Sequence, residues 1–274
     1  MHKHTIASLA AAALAAFSAG CAGVSPERGS CCAVAQNTLT DAEKAAGWRL
    51  LWDGSTAEGW KGARSDAFPS HGWIMDGGVL TVVPRQGLDD AKWSEYGLPE
   101  SRKGEKGGGG DIVTKEKFRD FEFKVDFRLT QGANSGIKYF FDETLNNGTT
   151  LEFQILHPGH RDWNFGRDGN RRIGALYDML PAPKAIGAAK PAGEGNTAKI
   201  VSKGNHVEHW LNGVKVLEYE RGGAQFMDAF GKSKYADPKT NLNGKWGLTP
   251  EGRILLQDHA DSTVSFRNIK IRKL

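Results

Sequence analysis

The nine residues Phe121-Glu122-Phe123-Lys124-Val125-Asp126-Phe127-Arg128-Leu129 alternate between apolar and charged side chains without a break. Successive side chains of an extended chain point to opposite faces, so five apolar groups share one face and four charged groups the other. The pattern predicts a strand with one face in a core and one in water. Outward from it, Asn212-Gly213 joins the strand candidates His206 to Leu211 and Val214 to Tyr219, and Asp76-Gly77-Gly78 joins Trp73 to Met75 with Val79 to Val83. Both are hairpin compositions. Gly136 to Phe141, Thr150 to Leu156, Ala198 to Lys203, Arg253 to His259 and Thr263 to Arg272 supply further strands. Many strands with hairpin turns predict an all-β antiparallel sandwich. Only Leu39 to Gly47, which opens on capping residues and stops at glycine, and Gly223 to Lys232 read as helices.

The chain starts MHKHTIASLAAAALAAFSAG, a short polar beginning and an apolar run too brief to span a bilayer, which reads as a signal peptide over residues 1–20. Phe17-Ser18-Ala19-Gly20-Cys21 resembles a bacterial lipobox, so Cys21 is the expected lipid anchor and the protein is expected to be exported to the periplasm or outer membrane as a lipoprotein. Residues 21–40 then form the lipidated N-terminus and linker, and 41–274 a single domain. Cys21, Cys31 and Cys32 all precede that domain, so no disulfide braces its core. Lys and Arg number 36 against 32 Asp and Glu, interspersed along the chain, which excludes a nucleic-acid footprint.

Two long stretches, Pro84 to Gly110 and His157 to Arg172, interrupt the strands, and loops of that length are commonly functional or mobile. Trp93, Tyr96, Trp163 and Phe165 in them suit stacking on sugar rings, or pinning the loops to the body. The Gly107 to Gly110 run lacks the ending of a phosphate cradle and reads as a hinge. In His206-Val207-Glu208-His209 a strand points His206 and Glu208 one way and His209 the other, so no metal centre is expected from this triplet. No cofactor is expected, although loop carboxylates leave room for a structural calcium.

In Leu151-Glu152-Phe153-Gln154-Ile155, Glu152 and Gln154 share a face, while Leu255-Leu256-Gln257-Asp258-His259 pairs Gln257 with His259 opposite Leu256 and Asp258. If both strands belong to one sheet, a carboxylate, two amides and an imidazole converge over one groove, with Asp258 and Asp261 close by. Clustered titratable groups of this kind mark candidate active sites.

These residues also carry a resemblance. Trp48 to Gly54 with Gly59-Trp60, Gly132 to Lys138, Glu152 to Ile155, Gly174 to Asp178, Lys190 to Glu194, Lys203 to Gly213, Leu256 to His259 and Phe266 to Ile269 together resemble, in order, the 3-keto-disaccharide hydrolase family. Gly195 and His157 depart from its pattern. The resemblance implies a concanavalin-like jelly roll of glucanase type, with a sugar groove on the concave sheet. It also implies a glycoside or oligosaccharide substrate oxidised to a ketone at C3, with a sugar 3-oxidoreductase acting upstream.

A C3 ketone acidifies the hydrogen on C2, so a base can remove it and the C1 oxygen can leave by β-elimination, giving an enone that water can later add to. The route needs one base, one acid and donors for the enolate. Glu152 and His259 are the acid and base candidates, in either order. Lys138, Gln154 and Gln257 are candidate polar ligands, Asp178 or Asp258 orienting groups, and His206 and Glu208 further substrate-binding candidates. A conventional two-carboxylate glycoside hydrolase and a non-catalytic sugar-binding lipoprotein remain the alternatives.

Overall fold

The computed structural model describes residues 36–145, 148–241 and 245–274. The expected signal peptide, the expected lipid anchor Cys21 and most of the expected linker lie outside the described residues. In chain order the elements are α1 (Asp41–Ala45), β1 (Arg49–Leu50), β2 (Trp60–Gly62), β3 (Trp73–Asp76), β4 (Val79–Val82), α2 (Asp90–Glu95), β5 (Ile112–Thr114), β6 (Phe121–Leu129), β7 (Asn134–Phe141), β8 (Leu151–Leu156), α3 (Lys184–Ala188), β9 (Gly195–Lys203), β10 (His206–Leu211), β11 (Val214–Glu220), α4 (Ala224–Gly231), β12 (Arg253–Leu256) and β13 (Val264–Lys273). The strands form two antiparallel sheets. One has eight strands in the order β11-β10-β9-β6-β13-β4-β3 with β1 beside β13, and the other five in the order β2-β5-β12-β7-β8.

The expected sandwich is therefore present, and β6 lies inside the larger sheet between β9 and β13. Its apolar face is fully buried while its charged residues stay half-buried on the other side. Phe121, Phe123, Val125 and Phe127 join Ile137, Phe153, Ile155, Phe266 and Ile271 in one core between the sheets. Each such side chain contributes roughly 1.5–3 kcal/mol by leaving water. The hairpin at Asn212-Gly213 forms, with Asn212 at φ 50° as a primed turn requires. Thr40 caps α1 through a capping box with Glu43.

Three departures matter for the cleft. Phe140 takes φ 57° and adds one residue to β7, so that Lys138 stands opposite Leu255 while Phe141 stands opposite Arg253. This bulge leaves Lys138 on the open face of the smaller sheet while Tyr139 and Phe140 are both buried. β12 ends at Leu256, short of the expected His259, because Asp258 gives its backbone N–H to the Asp111 carboxylate rather than to the ladder. The glycine run is packed rather than hinged: a Cβ on Gly107 would meet the Pro84 carbonyl at 1.8 Å, and one on Gly109 the His71 carbonyl at 2.1 Å.

Behind the smaller sheet lies a buried polar chain. His209 donates from Nδ1 to the Gly174 carbonyl (2.9 Å), accepts at Nε2 from Tyr139 Oη (2.7 Å), and Tyr219 donates on to Tyr139 (2.6 Å). The carbonyl of Gly174 fixes that tautomer. Burial pulls the His209 imidazole down to about 4, so it is neutral at physiological pH.

Candidate active site

Lys138 on β7 is the direct cross-strand partner of Glu152 on β8, and Gly136 is that of Gln154. All four residues face away from the core, because Ile137, Phe153 and Ile155 occupy the inner face. A Cβ on Gly136 would lie 2.0 Å from Glu152 Oε1 and 2.7 Å from its Cδ. Glycine here is what lets the carboxylate lie down on the ladder. The Gln154 amide is 3.2 Å from Glu152 Oε1 and 3.1 Å from the Ser135 carbonyl, a setting in which its nitrogen donates to both.

Two loops roof this floor. Gly174 to Tyr177 runs along the free edge of β8, with Gly174 N donating to the Gln154 carbonyl (2.8 Å) and Tyr177 N to the Glu152 carbonyl (3.0 Å). Asp178 ties that loop to the next, accepting from Arg171 Nε (2.6 Å) and from the backbone of Lys234 (2.8 Å). Tyr235 stacks on Trp246 with ring centroids 4.2 Å apart, and Trp246 donates to Thr149 (2.9 Å). Between floor and roof is a cleft of about 410 Å³ whose polar lining includes Lys138, Glu152, Gln154, Lys234, Gln257 and His259.

Enclosure sets the electrostatics. Glu152 is only 5% exposed. Burial pushes its carboxyl above the usual range, and Lys138, Lys234 and His259 offset this only in part. Burial opposes the Lys138 ammonium, but the Glu152 and Asp111 carboxylates outweigh it and hold its pKa above the ordinary lysine value. Asp111 lies 3.6 Å from Lys138 Nζ. Lys234, although exposed overall, has its ammonium 4.4 Å from the centre of the Tyr177 ring. The protein packed about that ammonium pulls it below the ordinary lysine value in spite of Glu152 and Asp178. Burial pushes the Tyr177 phenol up to about 12, so it is a neutral donor.

At the rim, His259 Nδ1 bonds Asp261 Oδ1 at 2.6 Å, which leaves Nε2 for a substrate. Burial works against the Asp261 carboxylate, yet Ser262 and His259 hold it below its usual range. The hydrogen bond to Asp261 fixes the orientation of the His259 ring. His160 packs edge-on against His259, 5.7 Å between centroids. Donor atoms of His160, His259 and Asp261 lie within 4.8 Å of one another, close enough to share a cation, as do those of His206, Glu208 and Glu218. At the first group, Asp162 donates its backbone N–H to His160 Nδ1 (3.0 Å), which places the neutral ring's proton on Nε2. A cation there would have to displace that proton.

The structure thus brings Glu152, His259, Lys138, Gln154 and Gln257 into one cleft. Asp178 and Asp258 sit behind it. Asp178 links the roof loops, while Asp258 accepts from Gly110 N (2.7 Å) and donates to Asp111, the partner of Lys138. His206 and Glu208 do not reach the cleft, because β10 belongs to the other sheet and both project from its outer face. Sequence reasoning missed Lys234, Tyr177, Tyr235, Asp162 and Asp111. Tyr177 lies within Gly174 to Asp178, one of the stretches that carry the family resemblance, but nothing periodic marks Lys234. Of the loop aromatics, Trp93 is buried among Ile74, Val83 and Leu98 and pins its loop, whereas Phe165 is 55% exposed.

The fold and the cleft define an antiparallel β-sandwich protein with an enclosed polar, aromatic-walled site on one open face. The chain belongs to the 3-keto-alpha-glucoside-1,2-lyase-like domain family, whose model matches residues 47–272. It is 34% identical over 248 residues to a 3-keto-disaccharide hydrolase of Bacteroides thetaiotaomicron, covering 84% of this chain and 79% of that protein. Two crystal structures of provisionally assigned glycosyl hydrolases of Parabacteroides distasonis share 26% identity with it. One has a TM-score of 0.67 and covers 88% of this chain and 100% of its own. The other has a TM-score of 0.59 and covers 83% and 99%. The protein is a glycoside-cleaving enzyme.

Proposed function

We propose that this enzyme cleaves 3-keto-glycosides by β-elimination, with Glu152 as the base at C2 and His259 as the acid at the leaving oxygen. The observation that supports this division is the contrast in their settings. Glu152 is buried on the cleft floor with its pKa raised above the usual carboxylate range, which suits a base, while His259 sits at the rim, oriented by Asp261 at Nδ1 with Nε2 turned to the cleft. In the step, the C2–H pair becomes the C2–C3 double bond of an enolate and the proton passes to Glu152. The enolate then expels the C1–O bond, and the leaving oxygen takes its proton from His259. The ammonium groups of Lys138 and Lys234 and the Tyr177 hydroxyl are the cleft's donors for negative charge on the C3 oxygen. Water added across the resulting C1–C2 double bond would return a 3-keto sugar.

Offering a methyl 3-keto-glucoside and its unoxidised parent side by side in heavy water, followed by NMR, tests the reading. Only the oxidised substrate should be consumed, and any hydrated sugar should carry deuterium at C2. Cleavage of the parent would instead favour a conventional glycosidase using Glu152 with Asp162, the other carboxylate lining the cleft.

A further inference from the structure

A second cavity, about 290 Å³, opens on the far side of the wall that carries His259, and its polar lining includes Gln86, Lys92, Gln131, Asp261 and Ser262. The two cavities share that wall residue for residue. Asn134 lines the first and its neighbour Ala133 the second. Asn134 N donates to Ser262 Oγ (2.9 Å). His259 lines the first and its hydrogen-bond partner Asp261 the second.

We propose that this second cavity is the subsite for the leaving group, with Gln86, Lys92 and Gln131 as its polar contacts, an inference that rests on the β-elimination reading above. The acid that protonates a glycosidic oxygen must stand where the two halves of the substrate meet. His259 stands there: a ring held in the first cavity and joined through its C1 oxygen to a second ring would pass the linking oxygen over the divide. The lining suits a pyranose. Gln86, Lys92 and Gln131 are exposed and use none of their side-chain polar atoms on another described residue, so amide and ammonium donors remain for sugar hydroxyls. Tyr96 offers a half-buried ring packed against the Ile74, Val83, Trp93 and Leu98 cluster, a fixed surface for the apolar face of a sugar. An aryl or alkyl leaving group would meet few apolar partners beyond Leu88 and that one ring.

The test compares kcat/KM of the wild type, Lys92→Ala and Gln131→Ala on a 3-keto-disaccharide with glucose as leaving group and on methyl 3-keto-glucoside, which leaves the second cavity empty. Each substitution should lower the disaccharide-to-methyl ratio by about 5- to 30-fold, the loss of one or two hydrogen bonds, mainly through KM for the disaccharide. Free glucose should inhibit the wild type competitively against the disaccharide, and the variants more weakly. If the wild type turns over both substrates and neither substitution moves the ratio, the subsite assignment is wrong while the elimination reading stands. If the wild type turns over neither, the elimination reading falls and takes the subsite with it.

Discussion

On the outer face of the larger sheet, His206, Glu208, Lys215, Glu218 and Glu220 form an ion-pair cluster, with His206 Nδ1 on Glu220 at 2.7 Å and Lys215 on both Glu208 and Glu218. On the open face of the smaller sheet, Lys138 and Glu152 face each other across β7 and β8. Both faces set a lysine and a glutamate side by side on neighbouring strands. Cover separates them: the His206 side chain is 42% exposed, whereas Glu152 lies beneath the Gly174 to Tyr177 and Lys234 to Thr240 loops and is 5% exposed. Water screens the first cluster into near-indifference, while enclosure makes each charge of the second depend on its neighbours. A polar strand face becomes a reactive one when loops shut solvent away from it.

The sharpest way to break this contrast is to change one carboxylate on each face. Glu152→Gln keeps shape but cannot take a proton, and should lower turnover of a 3-keto-glycoside by roughly two to four orders of magnitude, as removal of a general base does. Glu208→Gln should change turnover less than about twofold, as suits a screened surface pair. The wild-type acid limb of kcat against pH should lie above the ordinary carboxylate range, because burial raises Glu152. Equal losses in both variants would erase the distinction between the faces.

That contrast also explains how much was legible in the sequence. Alternation is local, so it correctly sorted Phe121 to Leu129 and set Glu152 and Gln154 on the side opposite Phe153 and Ile155. It sorted His206 and Glu208 equally well. It could not say that β10 joins the larger sheet and β8 the smaller, since pairing is decided by partners far along the chain. Lys234 and Tyr235 were invisible for the same reason. Their turn has no period, and what carries Lys234 over Glu152 is a hydrogen bond to Asp178, 56 residues earlier. The bulge at Phe140 likewise depends on Arg253, far along the chain from β7, and the end of β12 on Asp111, far along the chain from β12.

A second comparison sets His209, in the core, against His206, three residues away on the outside. Burial depresses the folded pKa of His209 to about 4 from the ordinary histidine value of about 6.5. Its contribution to stability is therefore complete above the unfolded value and is lost as pH falls through the window from about 6.5 to 4. At about 1.4 kcal/mol per unit, the loss across that window is on the order of 3 kcal/mol. His209→Gln, which can still donate to Gly174 and accept from Tyr139 but cannot titrate, should be less stable at neutral pH and flatter across the window. Denaturant unfolding at several pH values measures both slopes. A variant that loses stability as steeply as the wild type would place the acid sensitivity elsewhere.

His206 should show the opposite sign and a much smaller amplitude. The hydrogen bond to Glu220 raises its pKa, burial opposes this slightly, and Glu208 adds to the rise. The folded value lies above the unfolded one, so its contribution is complete below about 6.5 and fades as pH rises through the folded value. Because the side chain is open to water, screening limits the contribution to at most about 1 kcal/mol. His206→Gln should therefore lower the unfolding free energy slightly at pH 6. The difference should vanish at alkaline pH, and at any pH in about 1 M salt, where the Debye length shrinks to ~3 Å. Turnover should stay within about twofold of the wild type, since β10 brings this residue to the face away from the cleft. A tenfold loss of turnover, or a stability difference that persists in high salt, would mean that the outer face of the larger sheet is not the screened surface that its exposure indicates.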